Sequence, residues 1–214
     1  MTEPKIIYED PDLLALDKPA GVDVVMIAEW LTKKYPGAQL AHRLDKDTTG
    51  VLLVAKNQSS LDYLKHLFQT RQIKKTYLAL VYGLAPERGT IDRAIGRSRK
   101  DPRRRIAGRG ASGKLREALT YYQRLENLGD YSWVEIKPQT GRTHQIRVHF
   151  KAINHPVVCD ELYASGKTCP APLARQALHA SRVEFQASNG QVIKLEAPLP
   201  ADLLATLDNL RGSC

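Results

Sequence analysis

Apolar residues come in short bursts along this chain, and nearly every burst ends at a turn-forming residue. Residues 5–8 and 13–16 are two such bursts around Glu9-Asp10-Pro11-Asp12, which predicts two strands joined by a turn. The second strand is expected to stop at Asp17-Lys18-Pro19-Ala20-Gly21, where proline removes a ladder donor. Residues 27–34 read as a helix broken at Pro36-Gly37, and the unbroken run Val51-Leu52-Leu53-Val54-Ala55 reads as a buried strand. Ser59 or Ser60 can then cap a helix carrying Leu61, Leu64, Leu67 and Phe68 on one side. Residues 75–82 are apolar on both faces, as a strand near the middle of a sheet would be.

The second half continues the pattern. Residues 118–125 and 131–137 predict two strands about the turn Asn127-Leu128-Gly129-Asp130. Thr143 is the expected cap of a helix reaching about residue 153, with Ile146, Phe150 and Ile153 facing inward. Arg147 lies about 100° round from Ile146, at the edge of the stripe, where a guanidinium can reach a buried carboxylate while its stem stays packed. Residues 183–188 and 191–197 flank Asn189-Gly190, a strong hairpin signal, and Leu203, Leu204, Leu207 and Leu210 mark a last helix after Pro200. Hairpins mixed with helices predict an α+β fold with a largely antiparallel sheet. No repeat or linker divides the chain, so one domain over residues 1–214 is expected.

Composition narrows the class. The hydrophobic fraction is 43% and the charged fraction 26%, an ordinary globular make-up. No apolar run approaches the ~20 residues of a membrane span, so no membrane partner is expected. Met1-Thr2-Glu3-Pro4-Lys5 lacks the features of a secretory signal. Cys159, Cys169 and Cys214 show no framework spacing, and free thiols in a reducing cytoplasm are the expectation. His155, Cys159, Cys169 and His179 fit no common zinc spacing, so no metal is expected.

Charge changes the picture more. The net charge is +9, and the stretch from Arg97 to Arg116 holds nine basic residues against the single acid Asp101. Arg103-Arg104-Arg105 followed by Gly108, Gly110 and Gly113 reads as a mobile basic loop over about residues 97–116. Charge so concentrated attracts a polyanion, and nucleic acid is the favoured partner over mere solvation of a loop.

Candidate chemistry gathers in two strings. In His42-Arg43-Leu44-Asp45-Lys46-Asp47-Thr48-Thr49-Gly50 an acid sits among cations directly before the buried run. Asp45 can cap a turn or pair with Arg43, act as a general base, or serve as a nucleophile held charged by Arg43 or Arg147. The residues alone leave all three open. The second string, residues 140–149, puts Gly141, Arg142 and Thr143 at a helix start, where backbone donors suit a phosphate or carboxylate. His144 and His149 are five apart with Gln145 between them, so they do not form the metal-binding HExxH pattern and read as hydrogen-bonding scaffold. Tyr77 reads as a core residue, or as a ring stacking on a nucleobase if it faces Asp45. Neither a phosphate-cradling glycine loop nor a nucleophile elbow is present.

The strings HRLDKDTTGVLLVAK, KKTYLALVYG, KPQTGRTHQIRVH, HPVVCDELYA and LHASRVEF, in this order, resemble the signatures of the RluA family of RNA pseudouridine synthases. The resemblance runs from about residue 6 to residue 210. It implies that family's fold, a largely antiparallel mixed sheet flanked by helices and loops with a catalytic cleft across it. It also implies conversion of a uridine within ribosomal or transfer RNA to pseudouridine, with no cofactor. Asp45 matches the family's catalytic aspartate, Tyr77 the tyrosine that stacks on the target base, and Arg147 the basic partner of the aspartate. Arg43 matches the arginine that enters the space left by the extruded base. His42, Arg142, Arg103, Arg104 and Arg105 complete the expected RNA contacts, and a cytoplasmic monomer is expected.

Departures from the family pattern are few. The segment between Gly21 and His42 is short, Thr49 replaces a more usual serine, and Cys159 stands where glycine is common. No S4-type domain is expected ahead of the catalytic region, which leaves RNA recognition to that region and its basic loop. Two other classes fit less well. A silent RNA-binding protein would not require Asp45, Tyr77 and Arg147 together. A nucleoside hydrolase would want a second carboxylate, for which Asp47 is the near candidate.

Overall fold

The computed structural model describes residues 3–108 and 110–212. Its elements are β1 (Lys5–Glu9), β2 (Leu13–Lys18), α1 (Val24–Lys34), β3 (Gln39–Leu40), β4 (Thr49–Ala55), α2 (Gln58–Gln69), β5 (Lys74–Tyr82), β6 (Arg88–Asp92) and β7 (Ile95–Ser98). They continue with β8 (Arg105–Ala107), β9 (Ala111–Arg116), β10 (Leu119–Leu128), β11 (Tyr131–Pro138), α3 (Gln145–Ala152), β12 (Leu178–Gln186), β13 (Val192–Glu196) and α4 (Ala201–Gly212). The mixture is α+β with mostly antiparallel pairing, as the alternation of apolar positions predicted. The chain folds as two compact units. One runs up to Lys75 and includes His179–Leu199; the other holds Thr76–Leu178 and the segment from Pro200.

In the first unit β1, β2, β4 and β12 lie side by side, with β13 paired to β12 and β3 to β4. Among these described strands, only the β4–β12 pair is parallel. All seven residues of β4 are buried, which is why the sequence there is an apolar run rather than an alternation. Leu61, Leu64 and Leu67 of α2 pack into the same core as Val51, Leu53, Val183 and Phe185. The helix cap is Asn57, whose side chain accepts the Ser60 N–H, and not Ser59 or Ser60 as expected. Ser60 supplies the reciprocal half of the capping box.

In the second unit β5, β11, β10 and β6 form an antiparallel sheet. Its buried side chains include Leu80, Ile136, Leu128 and Phe150. The basic stretch corrects the expectation of a loop: β7 pairs with both β8 and β9 in a three-stranded antiparallel sheet. Gly108 and Gly110 take up positive φ, 83° and 87°, where the chain turns. Gly96 serves a different need, because a Cβ there would meet Leu115 Cδ2 at 2.9 Å and Ala111 Cβ at 3.0 Å. One face of this sheet buries Ile95, with Ala107 beside it, against Val148 and Tyr163. Arg109, in the basic stretch, and Cys214 lie outside the described residues.

The start of β4 is fixed from several sides. Gly50 has φ 109°, and a Cβ at this position would overlap the backbone of Ala180, its parallel partner on β12. His179 Nε2 lies 3.1 Å from the Ala197 carbonyl, which can only accept, so Nδ1 accepts the Thr49 hydroxyl at 2.8 Å. His42 packs its ring on Phe68 and accepts the Leu53 N–H through Nε2 at 3.0 Å. Burial, reinforced by the charge of Lys75, lowers its pKa to about 4.

That displacement has a pH signature. The unfolded chain takes up a proton near the ordinary histidine value of ~6.5, whereas folded His42 does so only near 4. The stability it contributes is therefore complete above ~6.5 and is lost as pH falls toward 4. Urea unfolding of the protein and of His42→Gln, whose amide oxygen can still accept the Leu53 N–H, tests this. The stability advantage over the variant should shrink by on the order of 3 kcal/mol between about pH 7.5 and pH 4. A pH-independent difference would refute this role.

Candidate active site and basic sheet

Asp45 belongs to the first unit. It is half-buried in the segment between β3 and β4, and its carbonyl accepts the Thr48 N–H at 3.0 Å, closing a tight turn. The carbonyl of Lys46, the next residue, accepts from Lys18 Nζ at 2.6 Å. Lys18 is 0% exposed, and its ammonium also donates to the carbonyls of Pro19 and Val22 at 2.8 and 2.9 Å. A buried cation thus ties the end of β2 to the loop that carries Asp45. Pulling the loop away would withdraw an acceptor from an ammonium held away from water, a large cost. Arg43 is exposed on the same loop, while Thr48 and Thr49 are buried. His42, expected as an RNA contact, is occupied by the backbone of β4 and braces the loop from within.

Tyr77 and Arg147 belong to the second unit. Tyr77 lies on β5, register-paired with Ile136 of β11, and is half-buried. Arg147 sits on α3 and is 6% exposed. It donates to the buried carboxylate of Asp160: Nε to Oδ2 at 2.6 Å and Nη2 to Oδ1 at 2.9 Å. This bidentate pair uses two of the five guanidinium donors and fixes the plane of the fork. Removing one partner of such a buried pair costs about 3–5 kcal/mol. Asp160 gave no sequence signal of its own. It lies in the HPVVCDELYA string, where only an arginine aimed inward hinted that an acid must be near.

The start of α3 differs from the expectation. Its cap residue is His144, in the left-handed region at φ 56°, and it makes no side-chain cap bond. Gln145 replaces the cap from inside the helix: its Oε1 accepts the Arg142 N–H at 2.9 Å and the Thr140 hydroxyl at 2.7 Å. Its Nε2 donates to the Leu119 carbonyl and the Thr120 hydroxyl oxygen. The Arg142 N–H, one of the donors expected to suit a phosphate, is thereby engaged, and Arg142 Nε donates to the Glu117 carbonyl at 3.0 Å. His149 bonds Thr120 through Nδ1 and the Arg93 carbonyl through Nε2, and burial lowers its pKa. It is scaffold, as its spacing suggested.

The three neighbouring arginines differ in setting. Arg103 makes a two-point contact with Asp101 at 3.1 and 3.0 Å, and Arg104 lies 3.6 Å from the same acid. Arg105 turns back to the carbonyls of Pro102 and Arg104. On the same small sheet and its turns Arg97, Arg99, Lys100, Lys114 and Arg116 are exposed. Cys159 and Cys169, expected as free thiols, are joined as a disulfide with Cα atoms 5.3 Å apart, a normal separation for one. Their spacing of ten residues had suggested no pairing. Among the described residues no cluster of three or more His, Cys, Asp or Glu could hold a metal, and no helix is long and apolar enough to cross a membrane. A pocket of about 180 Å³ in the first unit, lined by Tyr8, Asp10, Tyr63, Phe185 and Ile193 among others, includes none of the candidate residues.

Comparison with known proteins settles the family. The RNA pseudouridylate synthase model matches residues 12–152. An uncharacterized RNA pseudouridine synthase of Synechocystis sp. is 36% identical over 225 residues, covering 96% of this chain and 68% of the relative. The ribosomal large subunit pseudouridine synthase D of Pseudomonas aeruginosa is 37% identical, covering 98% of this chain and 72% of the relative. Among solved structures, human RNA Pseudouridylate Synthase Domain Containing 1 aligns with a TM-score of 0.83 at 31% identity, covering 99% of this chain and 94% of that one. The chain belongs to the RNA pseudouridylate synthase family, in its RluA branch, and is an RNA pseudouridine synthase, an isomerase.

Proposed function

We propose that this chain isomerises specific uridines in structured RNA, with Asp45 as the nucleophile and Tyr77 and Arg147 as its partners, and that its two units act as one catalytic domain. The observation that carries the reading is the clamp on the Asp45 loop, in which the buried Lys18 ammonium holds the very next carbonyl. A nucleophile must be held still relative to its target, and misplacement by ~1 Å can cost ~100-fold in rate. The target base leaves its stack, at a cost of a few kcal/mol, and the Arg43 guanidinium fills part of the vacated space. The carboxylate of Asp45 bonds to the nucleotide as the N1–C1′ bond breaks. The base rotates and its N1 takes the Tyr77 hydroxyl proton, C5 bonds to C1′ as the Asp45 carboxylate leaves, and the Tyr77 phenolate so formed takes the C5 proton. Atoms balance without any cofactor or metal.

Ribosomal RNA is the first substrate to test, because the relative from Pseudomonas aeruginosa bears a ribosomal name; transfer RNA is the second. Action as a cytoplasmic monomer completes the reading. Purified protein, incubated with total RNA from a strain lacking it, should create new carbodiimide-dependent reverse-transcription stops. Those stops should vanish with Asp45→Asn. Stops that persist in Asp45→Asn defeat the nucleophile assignment, and released free uracil would mark a hydrolase instead.

The basic sheet makes a separate prediction. Removing a cation that neutralises one phosphate flattens the log–log salt dependence of RNA binding by roughly 0.7–0.9. Alanine at Arg97, Arg99 and Lys114 together should flatten it more than alanine at Arg103, Arg104 and Arg105, where Asp101 already offsets charge. The reverse order, read by filter binding across salt concentrations, would show that the second group makes the phosphate contacts.

A further inference from the structure

Tyr163 joins three parts of the second unit that are remote in sequence. Its hydroxyl accepts the backbone N–H of Arg105 in β8 at 2.8 Å and meets Nδ1 of His144, the residue ahead of α3, at 3.0 Å. The Arg147 guanidinium lies over its ring, 5.2 Å from the centroid, within cation–π range. Its backbone N–H and that of Leu162 donate to Asp160 Oδ1 at 3.1 and 3.0 Å, the same oxygen that receives Arg147 Nη2. The Ala164 N–H closes the turn onto the Asp160 carbonyl at 2.7 Å. Tyr163 is 6% exposed and Asp160 1%, so in a close-packed interior neither can shift without moving its neighbours.

A core tyrosine ordinarily needs one partner for its hydroxyl. Here the hydroxyl bridges β8 and His144, the ring faces Arg147, and the backbone N–H donates to the Asp160 carboxylate that holds Arg147. We propose that Asp160 and Tyr163 are positioning residues of the reaction: Asp160 fixes the fork of Arg147, and Tyr163 couples that fork to the basic β7–β9 sheet. RNA gripped by the sheet then sets the orientation of Arg147. The inference rests on the reading that Arg147 belongs to the catalytic machinery. The contacts run from the β8 backbone through the Tyr163 hydroxyl and ring to the guanidinium, the contiguous path such coupling would use.

Tyr163→Phe is the decisive variant, because it keeps the ring beside Arg147 and removes only the hydroxyl that reaches β8 and His144. Single-turnover rates at saturating protein, RNA affinity and thermal stability are measured on the full chain with an RNA it modifies. The expected result is a fall of ~10-fold or more in the saturating rate, with affinity and melting temperature close to those of the parent protein. A merely structural tyrosine would lower the melting temperature and leave the saturating rate in place. Asp160→Asn should lose ~100-fold in the same rate, and Asp160→Glu should recover part of it. If Asp160→Asn does not fold, Tyr163→Phe alone decides: a saturating rate within about twofold of the parent overturns the coupling. Arg147→Lys separates the catalytic role from the positioning role. If Arg147→Lys retains full activity, the reading of Arg147 has failed; if it is inactive while Tyr163→Phe is not, only the positioning role has failed.

Discussion

The ammonium of Lys18 lies wholly out of water, and three backbone carbonyls make that position tolerable. Two of them come from the turn that follows β2, and the third comes from the residue after Asp45. Converging acceptors sustain such burial, because an uncompensated internal charge is among the most destabilising defects a fold can carry. The Lys46 carbonyl couples the loop to the turn, and an Asp45 loop that drifted outward would withdraw it from the cation.

The second unit repeats the principle with an ion pair. Arg147 and Asp160 hold each other in a two-point contact with almost no exposure. Well-packed apolar residues could supply equal or greater stability in such a place. What a bidentate pair adds is direction, since a planar fork accepts a carboxylate in few geometries. The polar set around Gln145, Thr120 and His149 has the same character: donor meets acceptor at each step, so α3 sits in one register. The first unit thus anchors the loop of one candidate residue by electrostatics, and the second unit the side chain of another.

Much of this was legible in the sequence. Periodicity found β1, β2, β4, β5, β10, β11 and the hairpin of β12 and β13, because each has one or two buried faces and a turn residue at its end. It also aimed Arg147 at a buried acid. Identifying that acid was beyond it, since Asp160 is specified by a contact across thirteen residues that include irregular chain. The basic stretch misled for a different reason. Glycines and arginines are the composition of a loop, yet small strands can pair where Gly96 lets Leu115 and Ala111 cross closely. The Thr143 cap failed because the helix starts one residue later, where His144 in the left-handed region is the cap residue and makes no side-chain cap bond.

The small basic sheet follows a logic of partial neutralisation. Asp101 holds Arg103 and faces Arg104, while other exposed cations stand along the strands and turns of the small sheet. The proposed chemistry rests on one carboxylate, and the bond it is proposed to form with the nucleotide is open to direct test. A single turnover stopped by rapid acid quench, then examined by denaturing electrophoresis and peptide mass spectrometry, samples that bond before C5 closes on C1′. Catalysis through Asp45 predicts a denaturant-resistant protein–RNA species whose linkage maps to Asp45 and which Asp45→Asn does not form. A linkage mapped to another residue, or an undiminished adduct in Asp45→Asn, would contradict it.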